Sequence, residues 1–203
     1  IPEEYGGGGV TDDFRFNAVI VEEFARFGSA APGLSLQNDV LVPYFLHLAN
    51  EEQRARWMPG MATGETILAL AMTEPGAGSD LAGIKTSARL DGDHYILNGS
   101  KTFISAGINS DLVVVVCRTN PDLGAGHKAF SLLVVERDME GFVRGRKLDK
   151  MGLKAADTAE LHFTDVRVPR ENLLGEENKG FYHLMQNLPS ERLSIGIGAI
   201  AGA

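Results

Sequence analysis

At Ile67 the hydrophobic period of this chain changes, and that change limits the possible folds more than any other feature of its 203 residues. Before it, Phe14, Ala18, Val21, Phe24 and Phe27 recur at three- and four-residue spacing, as on one face of a helix. Thr11 and Asp12 precede that pattern as capping side chains, and Gly28 follows it as a stop. The apolar run 34–48 leads into Asn50-Glu51-Glu52-Gln53, where an N-cap side chain and early acids complement the exposed amides of a new helix. Pro59 predicts the end of that helix, because its ring lacks an amide and crowds the preceding turn. Residues 1–66 therefore read as mainly helical.

From residue 67 onward, β-prone runs at 67–72, 85–90, 94–97, 102–105, 112–119, 129–136 and 160–166 are separated by turn signals. Asp91-Gly92 and Asn98-Gly99 reach positive φ cheaply and predict antiparallel hairpins. After Pro169 and Gly175 the pattern is helical again from Gly180, interrupted at Pro189, which would place Glu191 at a helix start. The expected architecture is α+β: a partial helical N-terminal region over 1–66, a central antiparallel β-barrel or sandwich over 67–177, and the start of a C-terminal helical bundle over 178–203. No internal repeat is present. The chain opens on Ile1 and closes on the uncharged apolar run 193–203, so both ends read as cut from a longer protein.

Composition removes several function classes. Nineteen Lys and Arg against 27 Asp and Glu give a net charge of −8, which argues against a generic polyanion binder. Lys85, Arg89, Lys101 and Lys128 are scattered without aromatic interleaving, so they read as solvated and no nucleic-acid partner is expected. The histidines His47, His94, His127, His162 and His183 lack the pairing and acid clustering of a zinc site, so no metal is expected. The single cysteine, Cys117, rules out an internal disulfide and fits a reducing compartment. No apolar run approaches the ~20 residues of a membrane span, and no signal-peptide pattern opens the chain.

Three segments can carry chemistry. Thr73-Glu74-Pro75-Gly76-Ala77-Gly78-Ser79-Asp80 follows a strand directly, with glycines that admit a ligand close to the backbone and hydroxyls that can bond it. It matches neither the Rossmann fingerprint, because residue 81 is Leu81, nor a Walker loop, and on pattern alone the reading as a Pro-Gly surface turn is favoured. Phe103-Ile104-Ser105 could flank a flat ring with an aromatic face and a terminal hydroxyl, or supply an ordinary core Phe and an exposed Ser. Glu191 could be a base in a dry pocket, its pKa raised by apolar neighbours, or a first-turn acid stabilised by exposed helix amides.

These segments, in this order, resemble the acyl-CoA dehydrogenase family of flavoproteins. The resemblance rests on Tyr5-Gly6-Gly7 after Pro2-Glu3-Glu4, on the run Met72 through Asp80, and on Asn98-Gly99-Ser100-Lys101 followed by Phe103-Ile104-Ser105. Met151-Gly152 through Val168-Pro169 to Leu174-Gly175 completes it. It implies an FAD whose isoalloxazine is held by Leu70, Ala71, Met72, Thr73, Phe103, Ile104 and Ser105, with the pyrophosphate near Gly78 and Ser79. Leu70 stands where Tyr is common and Phe103 where Trp is common, and both changes keep an apolar wall. In the family a carboxylate removes the α-proton of a fatty acyl thioester while the β-hydride passes to the flavin, giving a trans-2-enoyl-CoA.

Most members carry that Glu on a helix that would lie beyond residue 203, whereas the long-chain and isovaleryl branches place it at the position of Glu191. The stretch from Gly180 to Leu193 is most similar to the long-chain branch. The same resemblance implies acyl-CoA contacts at Ser79, His127, Lys128, Tyr182, Pro189, Ser190 and Arg192, where basic groups suit CoA phosphates. It also implies an electron-transfer flavoprotein as acceptor and a homo-oligomer, tetramer or dimer. The location would be the cytoplasm in a bacterium or the mitochondrial matrix in a eukaryote. An acyl-CoA oxidase or flavin monooxygenase on the same scaffold, or a non-catalytic CoA- or flavin-binding fragment, remain the alternatives.

Overall fold

The computed structural model describes residues 1–10, 13–28 and 33–203, so the predicted caps Thr11 and Asp12 lie outside the described residues. The chain forms two units, Ile1–Thr66 with Leu184–Ala203, and Ile67–His183.

The first unit is helical. α1 (Arg15–Arg26) ends just before Gly28. Residues Leu36–Leu41 wind as a π-helix that runs directly into α2 (Val42–Leu48). α3 (Glu51–Thr63) starts at a capping box, in which the Asn50 side chain accepts from the Gln53 amide at 2.8 Å and the Gln53 side chain accepts from the Asn50 amide at 3.0 Å.

Two expectations about proline fail in the same way. α3 passes through Pro59, and α4 (Gly180–Gly202) passes through Pro189 without a break. An interior proline costs a helix about 3 kcal/mol, partly through the carbonyl four residues earlier that loses its partner. Both prolines are exposed, and the carbonyls they release belong to Ala55 and Met185, also exposed. Burial of Trp57 and Met58, with Trp57 edge-on to Phe45 at 5.6 Å, favours continuing α3. Glu191 is consequently interior to α4 and not in a first turn.

The second unit is built on eight strands: β1 (Leu68–Ala71), β2 (Ser87–Asp91), β3 (His94–Ser105), β4 (Leu112–Arg118), β5 (Phe130–Glu136), β6 (Phe142–Lys147), β7 (Thr158–Pro169) and β8 (Leu173–Leu174). They form one sheet in the order β6-β7-β3-β2-β4-β5-β8, with β1 paired to β4. The α+β order of helices, sheet and helix is as expected, but the sheet is open and mixed where an antiparallel barrel or sandwich was expected. β1 runs parallel to β4 from Leu68↔Leu112 to Ala71↔Val115, and β2 is parallel to β4 through Ser87↔Arg118.

Asp91-Gly92 makes the β2–β3 hairpin. Asn98-Gly99 makes no turn; it lies inside β3 at the first of two register shifts against β7, between Leu97 and Gly99. Gly99 is required there because a Cβ would stand 2.4 Å from Thr86 Oγ1 and 2.7 Å from Thr86 Cα. One face of the sheet closes on Tyr95, Leu97, Val113, Val115, Leu133, Phe163 and Val166. β4 and β5 are buried on both faces along nearly their whole length, which explains their unbroken apolar runs. Cys117 is among those buried residues, and burial pushes its thiol up to about 12.

Candidate active site

In the sheet unit, the chain leaves β1 and turns at Glu74, whose amide and carbonyl pair with those of Ala77 at 2.9 and 3.1 Å. This turn is fastened from below. The Lys101 ammonium, 1% exposed, donates to the Met72 carbonyl at 2.9 Å and to Glu74 Oε1 at 3.0 Å. The Glu74 carboxylate, 7% exposed, also accepts from the Lys85 and Thr86 amides at 2.8 and 2.9 Å. Burial pushes the Glu74 carboxyl up, but contacts with Thr86, the Lys85 amide and the Lys101 charge outweigh it and leave the carboxyl below its usual range. Burial lowers the Lys101 ammonium, opposed by the Glu74 charge. Lys101 is thus a structural cation, correcting its reading as solvated.

The second register shift of β3, between Lys101 and Ile104, explains how a strand can bury both Lys101 and Thr102 and then turn Phe103 outward. Phe103 has φ +59° and is 67% exposed. A left-handed conformation is costly for a bulky residue, and so is an exposed ring. Its neighbour Thr102 donates from its amide to the Thr73 carbonyl at 3.0 Å. The structure therefore brings Met72 and Thr73 beside the 102–105 segment, with Ile104 buried, Ser105 exposed, Leu70 half-buried and Ala71 buried.

Farther along the same loop Gly78 and Ser79 are exposed, and Asp80 caps the short turn Leu81–Gly83 through the Ala82 amide at 3.1 Å. A Cβ at Gly76 or Gly78 would meet nothing within 4 Å, and neither residue has positive φ. Neither the backbone nor this chain's own packing demands glycine there, whereas a ligand lying against the loop would. An exposed flat ring beside a ribbon with hydroxyls at Thr73, Ser79 and Ser105 fits an isoalloxazine and its polar edge.

On the same unit, His127 stacks on Phe181 with ring centroids 3.9 Å apart and planes 16° from parallel. Phe181 meets Tyr182 edge-on at 6.1 Å, and the Lys179 ammonium lies 5.5 Å over the Tyr182 ring. His127, Lys128 and Tyr182 are all exposed, so this is an open aromatic and cationic surface. Phe181 and Lys179 escaped the sequence reading. The signal for Phe181 was its place directly before Tyr182.

In the helical unit, Glu191 is half-buried and its Oε1 accepts from the Tyr44 hydroxyl at 2.8 Å. Burial raises the Glu191 carboxyl above its ordinary value, with the Tyr44 bond and the Arg192 charge opposing. Tyr44 is 1% exposed. Asp39, also buried, accepts from Asn17 Nδ2 at 2.6 Å and from Ser194 Oγ at 2.5 Å. Ser190 lines a cavity of about 500 Å3 with Asn17, Asp39, His47 and Asn187. Pro189 and Arg192 are exposed. Tyr44, Asp39 and Asn17 were missed, although Tyr44 and Asp39 are polar positions inside the apolar run 34–48.

Among the described residues no cluster of three or more His, Cys, Asp or Glu could hold a metal ion, and no helix is long and apolar enough to cross a membrane.

Known proteins are similar to this chain in sequence and in fold. The sequence profile of the acyl-CoA dehydrogenase N-terminal domain matches residues 1–65, and that of the acyl-CoA dehydrogenase middle domain matches residues 69–166. The chain is 52% identical over 196 residues to the mitochondrial long-chain specific acyl-CoA dehydrogenase of Sus scrofa, covering 97% of this chain and 46% of that protein. Its fold is similar to the crystal structure of an acyl-CoA dehydrogenase from Geobacillus kaustophilus, with a TM-score of 0.93 and 55% identity over 99% of this chain and 52% of that one. A Bacillus anthracis acyl-CoA dehydrogenase complexed with FAD is 37% identical, with a TM-score of 0.85 over 99% of this chain and 34% of that one. The chain spans about half the length of the curated relatives it matches. With both profiles matched in order along most of its length, the chain belongs to the acyl-CoA dehydrogenase family.

Proposed function

We propose that this chain carries the flavin-binding segments and the catalytic base of an FAD-dependent enzyme that converts a long-chain fatty acyl-CoA into the trans-2-enoyl-CoA. The observation that carries the reading is Glu191: a half-buried carboxylate, raised by burial and tied to a buried phenol, in a family whose chemistry needs one strong carboxylate base. The long-chain preference rests on the likeness to the long-chain enzyme of Sus scrofa. When bound, FAD supplies the acceptor for the β-hydrogen and its electron pair. The remaining work belongs to side chains.

The α-proton of a thioester is too weakly acidic for a fully solvated carboxylate, so burial of Glu191 makes it a stronger base once ionised. Tyr44 occupies Oε1, which leaves Oε2 to take the proton. Leu70, Ala71, Met72 and Thr73 with Phe103, Ile104 and Ser105 hold the flavin ring, and Gly78 and Ser79 leave room for its pyrophosphate. Lys101 and Glu74 keep the first of those segments in place from beneath. His127, Lys128 and Arg192 offer positive charge to CoA phosphates, while Ser79, Tyr182, Pro189 and Ser190 complete the substrate contacts. An electron-transfer flavoprotein is the proposed acceptor and a homotetramer the proposed assembly. The proposed location is the mitochondrial matrix if the source is eukaryotic and the cytoplasm if it is bacterial.

The test is anaerobic mixing of the purified full-length flavoprotein with palmitoyl-CoA. Bleaching of the flavin with formation of trans-2-hexadecenoyl-CoA supports the reading. Absence of bound flavin, or no bleaching by any acyl-CoA, refutes it. Rapid reoxidation by oxygen with stoichiometric peroxide would instead identify an acyl-CoA oxidase.

A further inference from the structure

The inward face of the middle of α4 carries polar groups at helical spacing. Asn187 and Ser194 are buried and Glu191 half-buried, four and then three residues apart, so they share one side of the helix. Their partners come from a single stretch of chain. Asp39 receives Ser194, and Tyr44 serves Glu191. In a regular α-helix two residues five apart point about 140° away from each other. Here the π-helix Leu36–Leu41 intervenes, and its wider turn lets Asp39 and Tyr44 both face α4. Such turns inside helices recur at functional sites.

A tyrosine at this place is expensive. A phenylalanine would fill the same space without carrying a hydroxyl into a site 1% exposed. What the hydroxyl does there is donate to Glu191 Oε1 at 2.8 Å, while Asn187 hydrogen-bonds the phenol. We propose that Tyr44 is the positioning residue of the base, its hydroxyl fixing Oε1 so that Oε2 is the atom presented to the α-proton. The inference rests on Glu191 being the base. The bond survives proton transfer, because protonation at Oε2 leaves Oε1 a carbonyl-like acceptor. It is stronger to the ionised carboxylate, so Tyr44 opposes the burial that raises Glu191. Among the described residues, the other ionisable groups close by are Arg192 on the same helix, Asp39 facing Ser194, and Asp13 and His47 on the wall of the cavity shared with Ser190.

The experiment uses the full-length FAD-loaded protein with Tyr44→Phe, with 3-fluorotyrosine in place of Tyr44, and with Glu191→Gln. The first readout is the pH dependence of single-turnover flavin reduction by palmitoyl-CoA. The second is an infrared titration of the Glu191 carboxyl in the substrate-free protein, its band identified by loss in Glu191→Gln.

Losing the donor in Tyr44→Phe is expected to raise both midpoints by about one to two pH units while palmitoyl-CoA affinity holds. The more acidic fluorinated phenol keeps the shape and is expected to lower both. A merely structural role moves neither in opposite directions. Unmoved midpoints together with an inactive Glu191→Gln overturn the positioning role and leave the base in place. A Glu191→Gln variant that still reduces its flavin overturns the base and this inference with it.

Discussion

Replacing Lys101 by Met removes the cation beneath the Met72–Ala77 turn. In the native protein its ammonium serves two acceptors, the Met72 carbonyl at 2.9 Å and Glu74 Oε1 at 3.0 Å, with its side chain fully buried. The substitution strands a buried carboxylate and a carbonyl together. Breaking a buried pair by deleting one partner costs about 3–5 kcal/mol. Glu74 keeps two amide donors, from Lys85 and Thr86, which places the expected cost at the low end, about 3 kcal/mol. For a unit of this size that corresponds to roughly a 10 °C fall in the thermal midpoint. Calorimetry of the full-length protein with and without FAD reads it directly. Adding Glu74→Gln to Lys101→Met removes the stranded charge and should recover more than half of the loss, a coupling that a double-mutant cycle isolates. A fall of only one or two degrees in Lys101→Met, or no recovery in the double variant, would show that the turn is not held by this pair.

Phe103→Gly relieves a left-handed conformation worth ~1–2 kcal/mol and removes an exposed ring, so the apoprotein should melt no lower than the parent while FAD binding weakens about tenfold, measured by flavin release. Gly99→Ala drives a Cβ to within 2.4 Å of Thr86 Oγ1 and should cost about 2–3 kcal/mol by chemical denaturation, with no direct effect on Glu191. Because the folded state raises the Glu191 carboxyl, its contribution to stability is full below the usual carboxylate range and is lost as pH rises through the raised value. Glu191→Gln should therefore raise the thermal midpoint at pH above that raised value and leave it unchanged below the usual carboxylate range.

Hydrophobic period showed where helices give way to strands, since Phe14 to Phe27 and the runs from residue 112 to 136 each obey one clear rule. Pairing between distant strands was beyond it. Nothing local in residues 68–71 announces a parallel partner at 112–115, and the short edge strand β6 carries Arg144, Arg146 and Lys147, which blur its alternation. Lys101 was misread because scattered charge says nothing of burial: it falls between the predicted strands 94–97 and 102–105, whereas it lies inside β3 with its ammonium on Glu74 and the Met72 carbonyl. Glu191 was assigned to a helix start on the strength of Pro189. The continuous α4 removes the ordinary reason for an acid there and makes its burial against Tyr44 the feature to explain. Tyr44 itself was legible only as a polar residue in an apolar run, since its partner lies 147 residues away.

The most direct test of the account is anaerobic titration with palmitoyl-CoA of the full-length flavoprotein beside its Glu191→Gln variant, both checked for FAD content. The account predicts that the parent bleaches and forms the enoyl-CoA. The variant should bind FAD and palmitoyl-CoA yet reduce its flavin at least 1,000-fold more slowly, roughly the upper range attributed to a positioned general base. Comparable bleaching in both proteins would contradict it and assign the α-proton to another residue.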